Sequence, residues 1–388
     1  MIDSIVLTLN SDQFELMPDN KLDGRKTQHG RGFAINSEYS ETYNRNLKKQ
    51  GLYCPSITKA TKTNSANEPK EILEIQASLP KLLYGSNLFE IDSEDLEKIY
   101  IALLNRLDNL GIITSKENLR KAIVKRADFS KIIKLPPELG EANKVVETLS
   151  RFDYKPSSDY NFHKYNDGNH GRCIKFWNTT QGYVIYDVMG NILSNGYTKT
   201  EKTIQEGFAE GKVKRTALRF ELSLERKDSF ESVVRKRIQN KEKTRGFCLE
   251  DILNENLAKR ILLDVFDNVF NNTFMGLITL SEMEENKLKA YLDNSGLSVK
   301  KQEKLYYWVR TTTNFGIGGT WEQIKLKYRG GSVPNCKKEI SLILAEFGRI
   351  DGNTPNLIKF LRNKHEEFEI IKPNKTSDCI SSHTYCTL

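Results

Sequence analysis

Thr216-Ala217-Leu218-Arg219-Phe220-Glu221-Leu222-Ser223-Leu224-Glu225 alternates without a break. Leu218, Phe220, Leu222 and Leu224 fall on one side and Arg219, Glu221, Ser223 and Glu225 on the other, the period of a strand with one buried and one polar face. Upstream, residues 172–178 (RCIKFWN) and 183–188 (YVIYDV) read as two more strands, with Thr179 to Gly182 supplying a hairpin turn. Residues 121–130, 71–78 and 5–9 repeat the pattern, while 54–70, polar and with prolines near both ends, reads as a loop. Two helices interrupt the strands. One spans 93–110, with caps at Asp92 and Ser93 and apolar residues at Leu96, Ile99, Leu103, Leu107 and Leu110, and the other spans 137–151 after Pro136-Pro137.

Beyond about residue 230 the texture changes. Segments 249–270, 282–293, 299–312, 320–328, 335–347 and 355–366 are helical in pattern, broken at Asn271-Asn272, Asn294 to Gly296 and Gly316 to Gly319. The expected fold is α+β: a mainly antiparallel sheet with flanking helices over 1–235, an all-helical domain over 236–371 and a loose polar tail over 372–388. Helices 320–328 and 335–347 around a Gly-Gly-Ser-Val-Pro turn read either as a helix-turn-helix or as an ordinary helical hairpin.

Composition narrows the class. The 388 residues carry a net charge of +8 and include 38% hydrophobic and 28% charged residues, which suits a folded soluble protein with a polyanionic partner. No apolar run is long enough to cross a bilayer, and Met1-Ile2-Asp3-Ser4 opens into a strand pattern with no leader, so no membrane partner and a cytoplasmic location are expected. The six cysteines form no CxxC pair and read as incidental thiols in a reduced compartment. Cys379, His383 and Cys386 in the tail offer at most three zinc contacts. There is no GxxxxGK[ST], HExxH, GxSxG or His-x-His.

What remains is carboxylates and tyrosines on strands. Glu221, Glu74 and Asp128 each sit on a polar strand face, where they read either as exposed acids paired with a base, or as oxygen ligands gathered around Mg²⁺ or Mn²⁺. Tyr183 and Tyr186 fall on opposite faces of one strand, and spacing alone does not separate them. Basic stretches run from Arg235-Lys236-Arg237 through Lys241, Lys243 and Arg245, and from Lys325 through Lys327 to Arg329; each reads as a DNA contact or as a solvated helix face.

Taken in order, several blocks resemble the replication initiators of filamentous phages, the gene-two (II/X) proteins, and their plasmid relatives. They are Met1 to Leu7; Leu73-Glu74-Ile75-Gln76-Ala77-Ser78-Leu79-Pro80-Lys81 through Gly85-Ser86-Asn87; Arg126-Ala127-Asp128; Trp177-Asn178 with Tyr183-Val184-Ile185-Tyr186; and Leu218-Arg219-Phe220-Glu221. The resemblance implies a metal-dependent nicking-joining endonuclease that starts rolling-circle replication through a 5′-phosphotyrosine. Tyr186 would be the nucleophile with Tyr183 as the fallback, Asp128, Glu221 and Glu74 would bind Mg²⁺ or Mn²⁺, and Arg126, Arg219 and Lys81 would join the basic stretches in holding DNA. The implied partners are origin DNA, as duplex and single strand, and a bacterial host's helicase and polymerase. One departure stands out: where relatives place a lysine two residues after the tyrosine, this chain has Val188, so that role falls to Lys175 or Lys199. Two other readings share the features: an origin-binding regulator without chemistry, and a transposase or relaxase that moves DNA with the same tyrosine chemistry.

Overall fold

The structure is a computed structural model that describes residues 1–30, 33–63, 69–151, 161–167, 171–238, 246–270, 277, 280–281, 283–327, 333–350 and 357–373. It is an α+β fold in which one ten-stranded antiparallel sheet has the order β3-β4-β5-β6-β1-β8-β12-β11-β10-β9. The strands are β1 (Ile2–Asn10), β3 (Asp23–Gly30), β4 (Phe33–Tyr39), β5 (Ser56–Thr63), β6 (Pro69–Ser78), β8 (Ile123–Lys134), β9 (Asn161–Asp167), β10 (Gly171–Trp177), β11 (Gln181–Asp187) and β12 (Ala217–Leu224). Glu15–Leu16 (β2) and Ile112–Ile113 (β7) pair separately.

The alternation seen first in β12 is what fixes its place. Leu218, Phe220, Leu222 and Leu224 are fully buried on the helix-covered face, and each contributes about 1.5–3 kcal/mol of apolar burial. β12 sits between β11 and β8, with Tyr186 opposite Arg219 and Ser223 opposite Asp128. The hairpin from β10 to β11 turns on Asn178, whose Oδ1 accepts from the backbone N–H groups of Thr180 at 2.9 Å and Gln181 at 3.0 Å. This is the Asx chemistry that lets a short polar side chain replace a backbone partner.

Other boundaries shift for physical reasons. The expected loop at 54–70 contains β5, which pairs with β6 through Ile57–Ile75 and Thr58–Glu74. Its Ile57, Thr58, Thr61 and Thr63 supply the branched side chains a strand favours, but over 56–61 only Ile57 and Ala60 are buried, so no apolar alternation marks it. The strand expected at 121–130 starts later, because Lys116–Lys121 is a helix capped by Ser115, and runs on to Lys134. The helix expected at 93–110 is a short 3₁₀ turn followed by Leu96–Asp108, capped by Asp92 accepting from Glu94 N–H at 2.9 Å. The helix expected at 137–151 is a 3₁₀ turn at Pro137–Leu139 and a helix at Ala142–Ser150.

Past residue 235 the described segments are helical, as expected: Leu249–Ile252, Glu255–Phe270, Glu285–Asp293, Val299–Lys327, Val333–Ile350 and Leu357–Glu367. Val299–Lys327 is two helices meeting at Gly316, whose φ of 73° and ψ of −179° only glycine adopts readily. Of the expected Gly-Gly-Ser-Val-Pro turn, residues 330–332 lie outside the described residues, while Val333 and Pro334 already belong to the helix Val333–Ile350; the tail beyond 373, with Cys379, His383 and Cys386, also lies outside them. Glu255–Phe270 and Leu357–Glu367 pack on the sheet, where buried His365 meets Phe220 and Phe266 edge-on at 4.6 and 4.9 Å. The apolar core therefore continues across residue 235.

The other face of the sheet is polar, and one end of it is covered. There the helices Val188–Asn195 and Lys199–Ala209 enclose a second, smaller core of Leu88, Ile132, Val188, Met189, Ile192, Val213 and Ala217, with Tyr186 and Ile371 at its margin. Asp187 ends β11 and starts the first of these helices, accepting from Gly190 N–H at 3.1 Å. Buried Glu90 fastens the chain after the last helix to this end: it accepts from Lys131 Nζ at 2.6 Å, Ile132 N–H at 3.0 Å and Ile371 N–H at 3.1 Å.

Candidate active site

Strand register lines up three rows across the polar face. One runs Cys173, Tyr186, Arg219, Ile132; the next Lys175, Val184, Glu221, Ser130; the third Trp177, Gly182, Ser223, Asp128, Ser4, Ser78. Because side chains alternate along each strand, all of these share one face. The rows bring together Tyr186, Glu221, Arg219, Asp128 and Arg126, residues that lie up to 95 positions apart in sequence.

Arg219 is the centre. It is 0% exposed, because the row it belongs to abuts the second core. Its guanidinium reaches Asp3 Oδ1 at 2.6 Å and Glu221 Oε2 at 3.4 Å, and donates to Asn87 O at 2.6 Å and Ser130 Oγ at 3.1 Å. Burial opposes its charge, but Asp3 and Glu221 more than offset that and hold it above its ordinary pKa. Read from sequence as a DNA contact, Arg219 instead meets carboxylates and has no exposed surface.

Tyr186 is half-buried and donates its hydroxyl to Glu221 Oε2 at 3.2 Å. Burial raises its pKa well above 10, so the phenol is neutral near pH 7 and needs a proton acceptor to become a nucleophile. Glu221 is that neighbour. Burial, and then the charge of Asp3, push its carboxyl from 4.5 up to about 7 against the pull of Arg219, with Asp128 adding to the repulsion. Asp128 is also raised, mainly by burial, while Arg126 and Ser4 act the other way. Ser4 Oγ donates to Asp128, and Arg126 Nη2 lies 3.3 Å from it.

The other candidates spread out. Tyr183 faces the apolar core at 1% exposure, packed near Phe220, and its hydroxyl has no hydrogen-bond partner among the described residues, which speaks against it as a fallback nucleophile. Glu74 lies two strands from Asp128 on the same polar face and pairs with Lys125 at 2.6 Å. Lys175 sits one strand beyond Tyr186, its Nζ 5.9 Å from the Trp177 ring, and Lys199 begins a separate helix beside Gly51. Lys81 is tied to Glu201 at 2.9 Å and lies over the Tyr197 ring. Arg235 and Lys236 are exposed, and Arg237 pairs with Asp264 at 2.7 Å. Lys325 pairs with Glu322 at 2.5 Å, and Lys327 Nζ lies 4.5 Å over Tyr307. Lys241, Lys243, Arg245 and Arg329 lie outside the described residues.

Asp3 is the member the sequence reading missed. It is the extra residue at a register shift in β1 between Ile2 and Ser4, and that irregularity, invisible in the period of two, turns it toward Arg219. Asn87 and Ser78 also take part, with Ser78 Oγ donating to Asn87 Oδ1 at 2.9 Å. The Gly85-Ser86-Asn87 motif was the available signal.

The donor chemistry suits a hard cation, since Asp3, Asp128 and Glu221 are all oxygen donors that repel one another. Among the described residues, no three His, Cys, Asp or Glu side chains are grouped so as to hold a metal ion. Two carboxylates completed by a substrate phosphate and water would meet the demands of Mg²⁺.

Residues 1–161 match the family Phage_CRI, the N-terminal part of a replication-associated phage protein. This bears out the resemblance to the gene-two phage replication initiators, and it supports a role in replication initiation with the DNA binding that such a role implies. The match includes Asp3, Glu74, Arg126 and Asp128 and ends before the strands that carry Tyr186 and Glu221. No curated protein matches the chain. Among the described residues no helix is long and apolar enough to cross a membrane.

Proposed function

We propose that this protein nicks and rejoins one DNA strand at a replication origin through a covalent bond to Tyr186, and so starts rolling-circle replication of a phage or plasmid in the cytoplasm of a bacterial host. The observation that carries the reading is the hydrogen bond from Tyr186 to Glu221, beside Asp128, on the open polar face of the sheet.

Glu221 takes the phenolic proton as the Tyr186 oxygen forms a bond to the scissile phosphorus and the bond from phosphorus to the 3′-oxygen breaks. The departing 3′-oxygen takes up a proton, leaving a 3′-hydroxyl and a 5′-phosphotyrosine. Arg219, fixed by Asp3 and Asn87, holds Glu221 where it can accept the proton and keeps the resulting charges compensated. Reversal by a 3′-hydroxyl rejoins the strand. The phosphodiester energy stays in the phosphotyrosine bond, so no nucleotide hydrolysis is required, in keeping with the absence of a P-loop sequence. Asp128 and Glu221 would hold Mg²⁺ or Mn²⁺, with Glu74 farther off on the same face; bound there, the ion would supply Lewis-acid polarisation of the phosphate. A host helicase and polymerase would then unwind and extend from the free 3′-end.

The test incubates the full chain with supercoiled replicon DNA and Mg²⁺ or Mn²⁺ and maps the covalently modified residue by peptide mass. Wild type is expected to form an adduct at Tyr186, and Tyr186→Phe none. An adduct with Tyr186→Phe sinks the assignment, and DNA retention with no adduct in wild type would favour an origin-binding protein without chemistry.

A further inference from the structure

The row that contains Asp128 continues across the sheet to an aromatic side chain the reaction does not use. Trp177, the last residue of β10, lies opposite Gly182, then Ser223, then Asp128. Three strand spacings separate it from Asp128, about 14 Å, a distance a few nucleotides of a single strand can span.

Its surroundings suit a nucleobase. Trp177 is only partly buried although it stands on a polar face. His163, across from Lys175 on β9, sets its ring edge-on to the indole at 6.5 Å and 74°. Lys175 Nζ lies 5.9 Å from the indole centre. Between the indole and Asp128 stands Gly182, where a side chain would crowd the approach: a Cβ there would meet Lys175 Cε at 3.3 Å and Trp177 Cβ at 3.9 Å. Aromatic side chains interleaved with lysine along a groove are how single strands are held without reading sequence, because every base has a π face and every phosphate a charge.

We infer that Trp177 is a stacking subsite for an unpaired base of a DNA single strand laid across this face, with the Lys175 ammonium over the ring and Gly182 leaving the path toward Asp128 open. This rests on the nicking reading for its substrate, but binding is measured separately from chemistry. The chain, in EDTA so that no cleavage competes, is titrated into fluorescein-labelled (dT)12 and into a 12-mer of abasic residues with the same backbone. Trp177→Ala is expected to weaken (dT)12 about 5- to 100-fold and to leave the abasic probe within about twofold, since the phosphate contacts remain. Trp177→Phe, which keeps a stacking ring and the local packing, is expected to restore most of the difference. Equal losses on both probes, or none on either, overturn the proposal. If instead Trp177 separates the probes while Tyr186→Phe still forms adducts, the stacking site stands and the nucleophile assignment alone fails.

Discussion

Replacing Glu221 by glutamine tests whether the site is held under electrostatic strain. The neutral amide keeps the shape and a hydrogen-bonding oxygen for Tyr186 while removing a charge that burial, Asp3 and Asp128 disfavour. Two effects compete. Deleting one partner of a buried ion pair ordinarily destabilises by about 3–5 kcal/mol, because the other charge is left alone. Here Arg219 keeps Asp3 at 2.6 Å and its donations to Asn87 and Ser130, and the upward shift of Glu221 already includes the attraction of Arg219. Desolvation and repulsion therefore win. A carboxyl moved from 4.5 to about 7 destabilises the folded state by about 3 kcal/mol once pH exceeds both values. The sign follows from the direction: with the folded pKa raised, the favourable contribution is complete below 4.5 and is lost as pH rises through about 7. Glu221→Gln should thus be more stable than wild type by about 3 kcal/mol at pH 8.5, the gap closing toward zero near pH 4.5, and it should form no covalent adduct. Urea unfolding followed by circular dichroism in EDTA, at several pH values, measures it. A variant no more stable at pH 8.5, or a gap that does not change with pH, refutes the reasoning.

Arg219→Met leaves Asp3 and Glu221 facing each other without their cation, so urea unfolding should show a loss of about 3–5 kcal/mol; a loss under about 1 kcal/mol would mean the arginine is not the centre of the network. Tyr183→Phe removes a buried hydroxyl that has no partner among the described residues, and thermal unfolding should show stability unchanged or raised by roughly 1 kcal/mol, with adduct formation intact. Gly85 has φ +73°, and a Cβ there would meet Thr200 Oγ1 at 2.5 Å, so Gly85→Ala should destabilise by about 1–3 kcal/mol in the same assay. Breaking the partly exposed Glu74–Lys125 pair with Glu74→Gln should change stability by less than about 1 kcal/mol, and a larger loss would show that pair to be structural.

What could be read from the chain follows burial. β12 was legible because one face meets a dry core and the other does not, so its sequence alternates. β5 was not, because it belongs to a wing where little is buried and threonine stands where isoleucine otherwise would. Tyr183 and Tyr186 looked alike until the sheet's two faces had different neighbours, one packed by Phe220 and the other lined by Glu221. Arg219 read as a surface contact because an arginine on a polar strand face usually is one; nothing local announces that Asn87 and the second core close over it. Glu221 and Asp128 stand out as acids on polar strand faces, and only the resemblance of short blocks gives them a role, whereas Asp3 depends on a one-residue irregularity in β1 that no periodicity reveals.

The central position of β1 has a consequence in time. It pairs on one side with β6 and on the other with β8, and Ser223 of β12 must then register against Asp128. A ribosome adding roughly 5–20 residues per second needs on the order of 6–25 s to go from Asp3 to Asp128. Through that interval the first strand has been made and its last partners have not. A nascent chain cannot cut DNA, and the interval in which an apolar strand waits unpaired is when chaperone binding or aggregation competes most with folding.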